Sequence, residues 1–191
     1  MQKEFKVYRY PYKDYWIEDI NKIRFADEIY ITYAVCSKQC GHTEFLVDGS
    51  SQNCKICGKQ LFRNAIYEYH LEDGNYLEDK DMFNEKFPLN IYNIDHDGFF
   101  IKRKDIGWEN TGYDIEDYIE VIDEEVEFPE SIYIGFAVSS KQCQSYEYVA
   151  ENSSQICEYC GKQLLCLKAG KYKRGSRLRW NSKLRDLEYV D

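Results

Sequence analysis

The chain has 191 residues, of which 43% are hydrophobic, 31% charged and 16% aromatic. This composition excludes a largely disordered protein, and no stretch approaches the roughly 20 apolar residues that a membrane span needs. The net charge of −9 argues against a protein whose whole surface binds nucleic acid. The first residues are charged at Lys3, Glu4 and Lys6 and contain no apolar segment, so the sequence predicts a cytoplasmic protein without a signal peptide.

A shift of 103 residues aligns two parts of the chain without a gap. Residues 29–61 match residues 132–164 at 19 of 33 positions, which chance does not produce. The alignment weakens upstream and fades after Leu61. We therefore interpret the protein as two related halves. The first half, 1–97, includes the segment that connects the two repeats, and the second half, 98–191, ends in a basic tail.

Each half is predicted to contain a helix followed by three strands, with a cysteine-bearing turn, or knuckle, after each of the first two strands. Apolar residues at helical spacing predict the helices at 12–24 and 115–126. Alternating apolar residues, bounded by turn residues, predict the strands. The predicted strands are Ile29–Val35, Glu44–Val47 and Gln60–Leu71 in the first half, and Ile132–Val138, Tyr146–Val149 and Gln163–Lys168 in the second.

Four cysteines in the first half have the spacing of a metal site. Cys36 and Cys40 are separated by three residues, and Cys54 and Cys57 by two, with a glycine after the second pair. Two turns that each offer two thiolates supply the tetrahedral sulfur ligands that zinc prefers. Buried free thiols or two disulfides are the alternative, and disulfides need an oxidising compartment.

This pattern resembles a four-cysteine zinc ribbon, a fold module rather than a particular protein family. The resemblance covers about 35 residues in each half and departs from the module by one extra residue between Cys36 and Cys40. It implies a structural zinc ion held by Cys36, Cys40, Cys54 and Cys57.

The second half keeps only three of the four cysteines. Cys143, Cys157 and Cys160 are present, but Ser139 stands where the first half has Cys36. A neutral hydroxyl is a poor zinc ligand, and Cys166 lies too far along an extended strand to replace it unless the strand bends. The second site is therefore either a three-thiolate site with water or a distant ligand, or a decayed copy.

Charge is strongly segregated towards the end of the chain. Nine acids and no base occur between residues 114 and 130, whereas eight bases and no acid occur between 166 and 185. The acidic run is interpreted as the solvated face of a helix. The basic segment is interpreted either as a patch for nucleic acid or another anionic partner, or as a strand docked against the acidic body. The candidate contact residues are Lys171, Lys173, Arg174, Arg177, Arg179 and Trp180.

Together these patterns predict an α+β protein of two tandem zinc-ribbon-like repeats. Each repeat would hold a helix and a small antiparallel sheet with Cys-bearing knuckles, and a pseudo-two-fold would relate the two. One zinc ion is expected, and a second would require a fourth ligand. Tyrosine is abundant, at 18 residues, which predicts an exposed Tyr-rich patch suited to an interface.

Three functions are compatible with the sequence. We favour a non-enzymatic zinc-binding protein that contacts another protein, as an inhibitor, immunity-type protein or adaptor, because an acidic, Tyr-rich surface complements a basic partner. The alternative is a nucleic-acid-binding zinc ribbon that uses the basic tail, with weak binding expected. The third is a zinc-dependent hydrolase at the incomplete second site, since catalytic zinc has three protein ligands and water.

Overall fold

The computed structural model of the chain consists mostly of β-strands. It describes residues 15, 21–50, 53–88, 119, 125–153, 155–157, 159–160, 163–181 and 183–190. The strands are β1 (Glu28–Val35), β2 (Thr43–Val47), β3 (Phe62–Tyr76), β4 (Ser131–Val138), β5 (Tyr146–Ala150), β6 (Leu165–Asn181) and β7 (Asp186–Val190), and a short helix, α1 (Lys80–Lys86), follows β3.

All seven strands belong to one antiparallel sheet. The order is β2-β1-β3-β6-β4-β5, and β7 pairs with the far end of β6. The terminal strands β2 and β5 approach each other, so the sheet curls into a nearly closed, barrel-like form. Within the described residues no helix is long and apolar enough to cross a membrane.

The predicted fold of two helix-plus-sheet repeats is therefore wrong. The long strands β3 and β6 pair with each other along the middle of the sheet, so the two small sheets that the sequence predicts merge into one. Most of the predicted helices 12–24 and 115–126 lies outside the described residues, and the described residues 21–24 and 125–126 form no α-helix.

Strands of the two halves nevertheless begin and end at related positions. β1 and β4 span 28–35 and 131–138, and β2 and β5 span 43–47 and 146–150, so both pairs are 103 residues apart. Turn hydrogen bonds follow the same shift. The amide of Asp48 donates to the carbonyl of Tyr30 at 2.8 Å, and that of Glu151 donates to Tyr133 at 2.9 Å.

The main hydrophobic core fills the inside of the curled sheet and takes residues from both halves. Along β4, for example, the alternate residues Ile132, Ile134, Phe136 and Val138 all face inward, as the period of two requires. The fully buried members include Ile31 and Tyr69 from the first half and Ile134 and Tyr172 from the second. The halves thus share one core.

Helix α1 anchors the connection to the second half. Its N-cap Asp79 accepts a hydrogen bond from the amide of Met82 at 2.9 Å, which satisfies one of the free donors at the helix start. At its other end Phe87 is buried beside Ala137 and Cys157. The segment around α1 is therefore packed against the side of the sheet that carries the second group of cysteines.

Candidate metal centre

The first four cysteines come together at one end of β1 and β2. Cys36 follows β1 directly, Cys40 lies in the turn before β2, and Cys54 and Cys57 flank the turn after β2. Their sulfur atoms all lie within 4.8 Å of one another. This cysteine cluster, called site 1 below, has its own small core with Ala34, Leu46 and Leu61.

Backbone hydrogen bonds shape the first knuckle of site 1. The amide of Cys36 donates to the carbonyl of His42 at 2.9 Å, and the amides of Cys40 and Gly41 donate to the carbonyl of Ser37 at 3.1 and 2.9 Å. Gly41 has φ +73°, the left-handed region that glycine adopts without steric cost. The turn therefore accommodates the extra residue between its two cysteines and still brings them together.

The second knuckle of site 1 forms around Cys54. Its amide donates to the carbonyl of Lys59 at 2.8 Å, and the amide of Gly58 donates to the carbonyl of Cys54 at the same distance. The amide of Ile56 points at the Cys54 sulfur, at 3.4 Å. Such a donor stabilises negative charge on sulfur, which suits a metal-bound thiolate. Gly58, which follows the second cysteine of this pair, adopts φ +76°, a backbone conformation that glycine reaches without steric cost.

The separations in site 1 fit a tetrahedral metal ion. Zinc–sulfur bonds of about 2.3 Å in a tetrahedron place the sulfur atoms roughly 3.8 Å apart. The Cys40 and Cys54 sulfur atoms are 3.8 Å apart, and those of Cys36 and Cys57 are 3.3 Å apart. The four cysteines can therefore hold a metal ion with small side-chain adjustments.

The surroundings of these thiols shift their pKa values in different directions. Burial raises the pKa of Cys54 well above its ordinary value, and burial together with the hydrogen bond to Cys57 raises the pKa of Cys36 to about 11. Burial also acts to raise the pKa of Cys57, but hydrogen bonds from the backbone of Lys59 and from the other thiols lower it overall. Metal binding at site 1 therefore has to release protons from Cys36 and Cys54, whose pKa values burial raises.

The second group, site 2, contains Cys143, Cys157 and Cys160, again with sulfur atoms within 4.8 Å. Its first turn repeats that of site 1, with the amide of Cys143 donating to the carbonyl of Ser140 at 3.1 Å. Here the residue equivalent to Gly41 is Gln144, which still adopts positive φ, at 54°. The three cysteines can also hold a metal ion, with one position left to another ligand.

The side chain of Ser145 lies beside the cysteines of site 2. Its hydroxyl lies 3.1 Å from the Cys157 sulfur and 3.3 Å from the Cys143 sulfur, and it donates to the hydroxyl of Ser139 at 2.9 Å. Ser145 was not among the predicted site residues, because the 103-residue shift aligns it with His42 rather than with a cysteine. Its position only two residues after Cys143 was the one feature of the sequence that could have indicated its contact with the site.

Cys166 does not join site 2. Its sulfur is buried against Gly135 and Phe87, and its thiol donates weakly to the carbonyl of Lys168, at 3.6 Å. A side chain at position 135 would collide with this sulfur and would lie 3.0 Å from the Phe87 ring. Cys166 is thus a packing residue of β6, and burial raises its pKa above the ordinary value.

The basic segment forms the strand β6 in the middle of the sheet and contacts the rest of the chain. The Arg174 guanidinium donates to the carbonyl of Phe128 at 2.7 Å, and Arg179 pairs with Glu188 at 2.6 Å. The Lys171 ammonium lies 3.8 Å from Glu72. The backbones of Arg177 and Trp180 pair with β7, and Lys173 is exposed opposite His70. The basic segment is therefore a strand of the sheet, and two of its arginine side chains, Arg174 and Arg179, bond to groups of this chain.

Comparison of the chain with protein-family models, with curated proteins and with solved structures gave no match.

Proposed function

We propose that this is a zinc-stabilised binding protein that acts through contact with another protein. The observation that carries the proposal is site 1, where four sulfur atoms lie within 4.8 Å and no coordination position remains for a substrate. A closed four-cysteine site is the arrangement of structural zinc. Zinc is favoured over other ions because thiolates in a tetrahedron select it.

Exposed apolar side chains lie on the tips of the knuckles. Ile56, between the cysteines of the second knuckle of site 1, is 53% exposed, and Tyr159, its equivalent in site 2, is 63% exposed. Large apolar side chains held rigidly at the surface are typical anchors of protein interfaces. A bound metal ion would hold each knuckle tip in place. This is how the cysteine clusters would support binding to another protein.

The charge of the chain favours a basic partner. With a net charge of −9, long-range attraction would steer a positively charged protein towards this surface and repel acidic ones. The same charge opposes nucleic acid. Arg174 and Arg179 already bind groups of this chain, so a phosphate backbone would have to displace those contacts. Binding to nucleic acid is therefore the weaker second candidate.

A zinc hydrolase at site 2 is the third candidate. It requires a metal-bound water, but the Ser145 hydroxyl already lies among the cysteines, 3.1 Å from the Cys157 sulfur and 3.3 Å from the Cys143 sulfur. Ser145 would have to move aside before a water could coordinate. This contact favours a structural rather than a catalytic role for site 2.

Photo-crosslinking tests the proposal. A benzophenone amino acid placed at Ile56 or Tyr159 should crosslink the same protein from host extract, and Ile56→Asp should abolish the crosslink formed from position 159. The matched control is position 184, because Leu184 is equally exposed but lies in the turn between β6 and β7. Equal crosslinking from position 184, or none from either tip, would contradict the proposal.

A further inference from the structure

We propose that Glu28, Glu68 and His70 form a third metal site, for a divalent first-row transition ion such as Mn²⁺ or Zn²⁺. One donor atom from each of the three side chains lies within 4.8 Å of the others. The site contains no sulfur and lies on strands β1 and β3. It does not depend on the function proposed above.

Strand register brings the three residues together. Glu28 and His70 are direct partners in the antiparallel pairing of β1 with β3, and Glu68 is two residues from His70 on the same strand. Since successive side chains alternate, all three belong to one face of the sheet. That face is opposite to the one on which Ile29 and Tyr69 enter the core.

Glu68 provides the strongest indication of a cation site. The residue is 6% exposed, so its carboxylate is buried almost completely. One oxygen, Oε1, forms a very short contact with Nε2 of His70. The other, Oε2, has no hydrogen-bond partner within the part of the chain that the structure describes. A buried carboxylate oxygen without a partner is costly, and a bound cation would satisfy it.

The chain leaves space for the imidazole beside Glu68. Gly175 on β6 packs against the ring, and a Cβ at this position would lie 2.9 Å from Cδ2 and Nε2 of His70. The same Cβ would lie 3.2 Å from the carbonyl oxygen of Glu68. Glycine at position 175 therefore lets the His70 ring turn Nε2 towards the carboxylate.

Glu28 is also held in place. The hydroxyl of Tyr30 donates to its Oε1 at 2.9 Å, and this hydrogen bond raises the pKa of Tyr30 to about 12. Metal ligands are typically oriented by such neighbours. A hydrogen bond between the Tyr189 hydroxyl on β7 and the Glu68 carboxylate raises the pKa of Tyr189, so a metal ion at this site would share the carboxylate with that hydroxyl.

The donor set determines the class of ion. Imidazole nitrogen favours first-row transition ions, whereas carboxylate oxygens are harder donors that Mn²⁺ accepts readily. A metal ion would bind Nε2 of His70 and the Glu68 oxygen Oε2, which has no hydrogen-bond partner among the described residues. Lys173 stands opposite His70 on β6, and its positive charge should weaken cation binding at this site.

Mn²⁺ titration of the zinc-loaded protein, followed by electron paramagnetic resonance, tests the site without interference from the cysteines, because Mn²⁺ prefers oxygen to thiolate ligands. One equivalent should bind, and excess Zn²⁺ should displace it. Glu68→Gln and His70→Gln should each weaken binding by about tenfold or more. Lys173→Ala should strengthen it.

Two variants separate loss of the site from loss of the fold. Glu28 is exposed, so Glu28→Gln should remove a ligand without unfolding the protein. His42→Gln is the matched control, because His42 forms a similar contact with the buried Glu44, at 2.6 Å, but no third donor groups with them among the described residues. Equal Mn²⁺ affinity in Glu28→Gln and the wild type, or no saturable Mn²⁺ binding by the wild type, would overturn the proposal.

Discussion

Tyr69 and Tyr172 lie 103 residues apart and make the same hydrogen bond in opposite directions between the two halves. Tyr69 on β3 donates to the carbonyl of Pro129, and Tyr172 on β6 donates to the carbonyl of Ala26, both at 2.6 Å. The two acceptors are also 103 residues apart. Each half therefore holds the segment that leads into the first strand of the other half.

Removing either hydroxyl should destabilise the protein to a similar extent. Tyr69→Phe and Tyr172→Phe each leave a carbonyl without its donor and should each lower the free energy of unfolding by about 1 kcal/mol. Urea denaturation measures the change. Tyr146→Phe is the control, because Tyr146 is exposed and should lose almost nothing. A large difference between the first two variants would contradict the equivalence of the two contacts.

The protein should lose stability at alkaline pH, because three of its tyrosines have raised pKa values in the folded state. Burial raises the pKa of Tyr69 and Tyr172, and the hydrogen bond to Glu28 raises that of Tyr30 to about 12. The unfolded chain releases these protons near pH 10, before the folded protein does. Stability is therefore complete below about pH 10 and falls as the pH rises further.

Circular dichroism across this range should show unfolding, accompanied by the absorbance of ionised tyrosine near 295 nm. If all tyrosines ionise near pH 10 while the fold persists, the burial argument is wrong.

Loss of a ligand from site 1 should remove both metal and stability. Structural zinc contributes roughly 10–16 kcal/mol of apparent binding energy at neutral pH, which is comparable to the stability of a whole domain. Cys54→Ala should therefore lower the zinc content by one equivalent and reduce the melting temperature. The control is Cys166→Ala, which removes an equally buried thiol outside both sites and should leave the zinc content unchanged. Unchanged melting of Cys54→Ala would argue against structural zinc.

Exchanging cysteine and serine between the two sites should transfer tight zinc binding. Ser139→Cys gives site 2 the fourth thiolate that Cys36 supplies in site 1, so zinc at site 2 should resist a chelator that strips the wild type. Cys36→Ser should weaken site 1 in the same assay, because a neutral hydroxyl is a poor zinc ligand. The double variant should hold one tight zinc, at the other site. If Ser139→Cys binds zinc no more tightly, Ser145 rather than residue 139 controls the fourth position.

The sequence by itself determined the local features of the protein. The spacing of Cys36, Cys40, Cys54 and Cys57 and the glycine at position 58 predicted a four-sulfur cluster built on two turns, since those contacts lie within 22 residues. Alternating apolar residues placed β1, β2, β4 and β5 within one or two residues of their observed bounds. Such features depend on backbone geometry and on neighbours close in the chain.

Only the tertiary structure decided how the halves combine. β3 and β6 extend beyond the aligned segments and pair with each other, and no local pattern predicts which distant strand a given edge will meet. The same pairing packs Gly175 against His70 and makes the basic segment a central strand. Contacts between residues far apart in the chain depend on the complete packing of the core, which residue spacing alone does not contain.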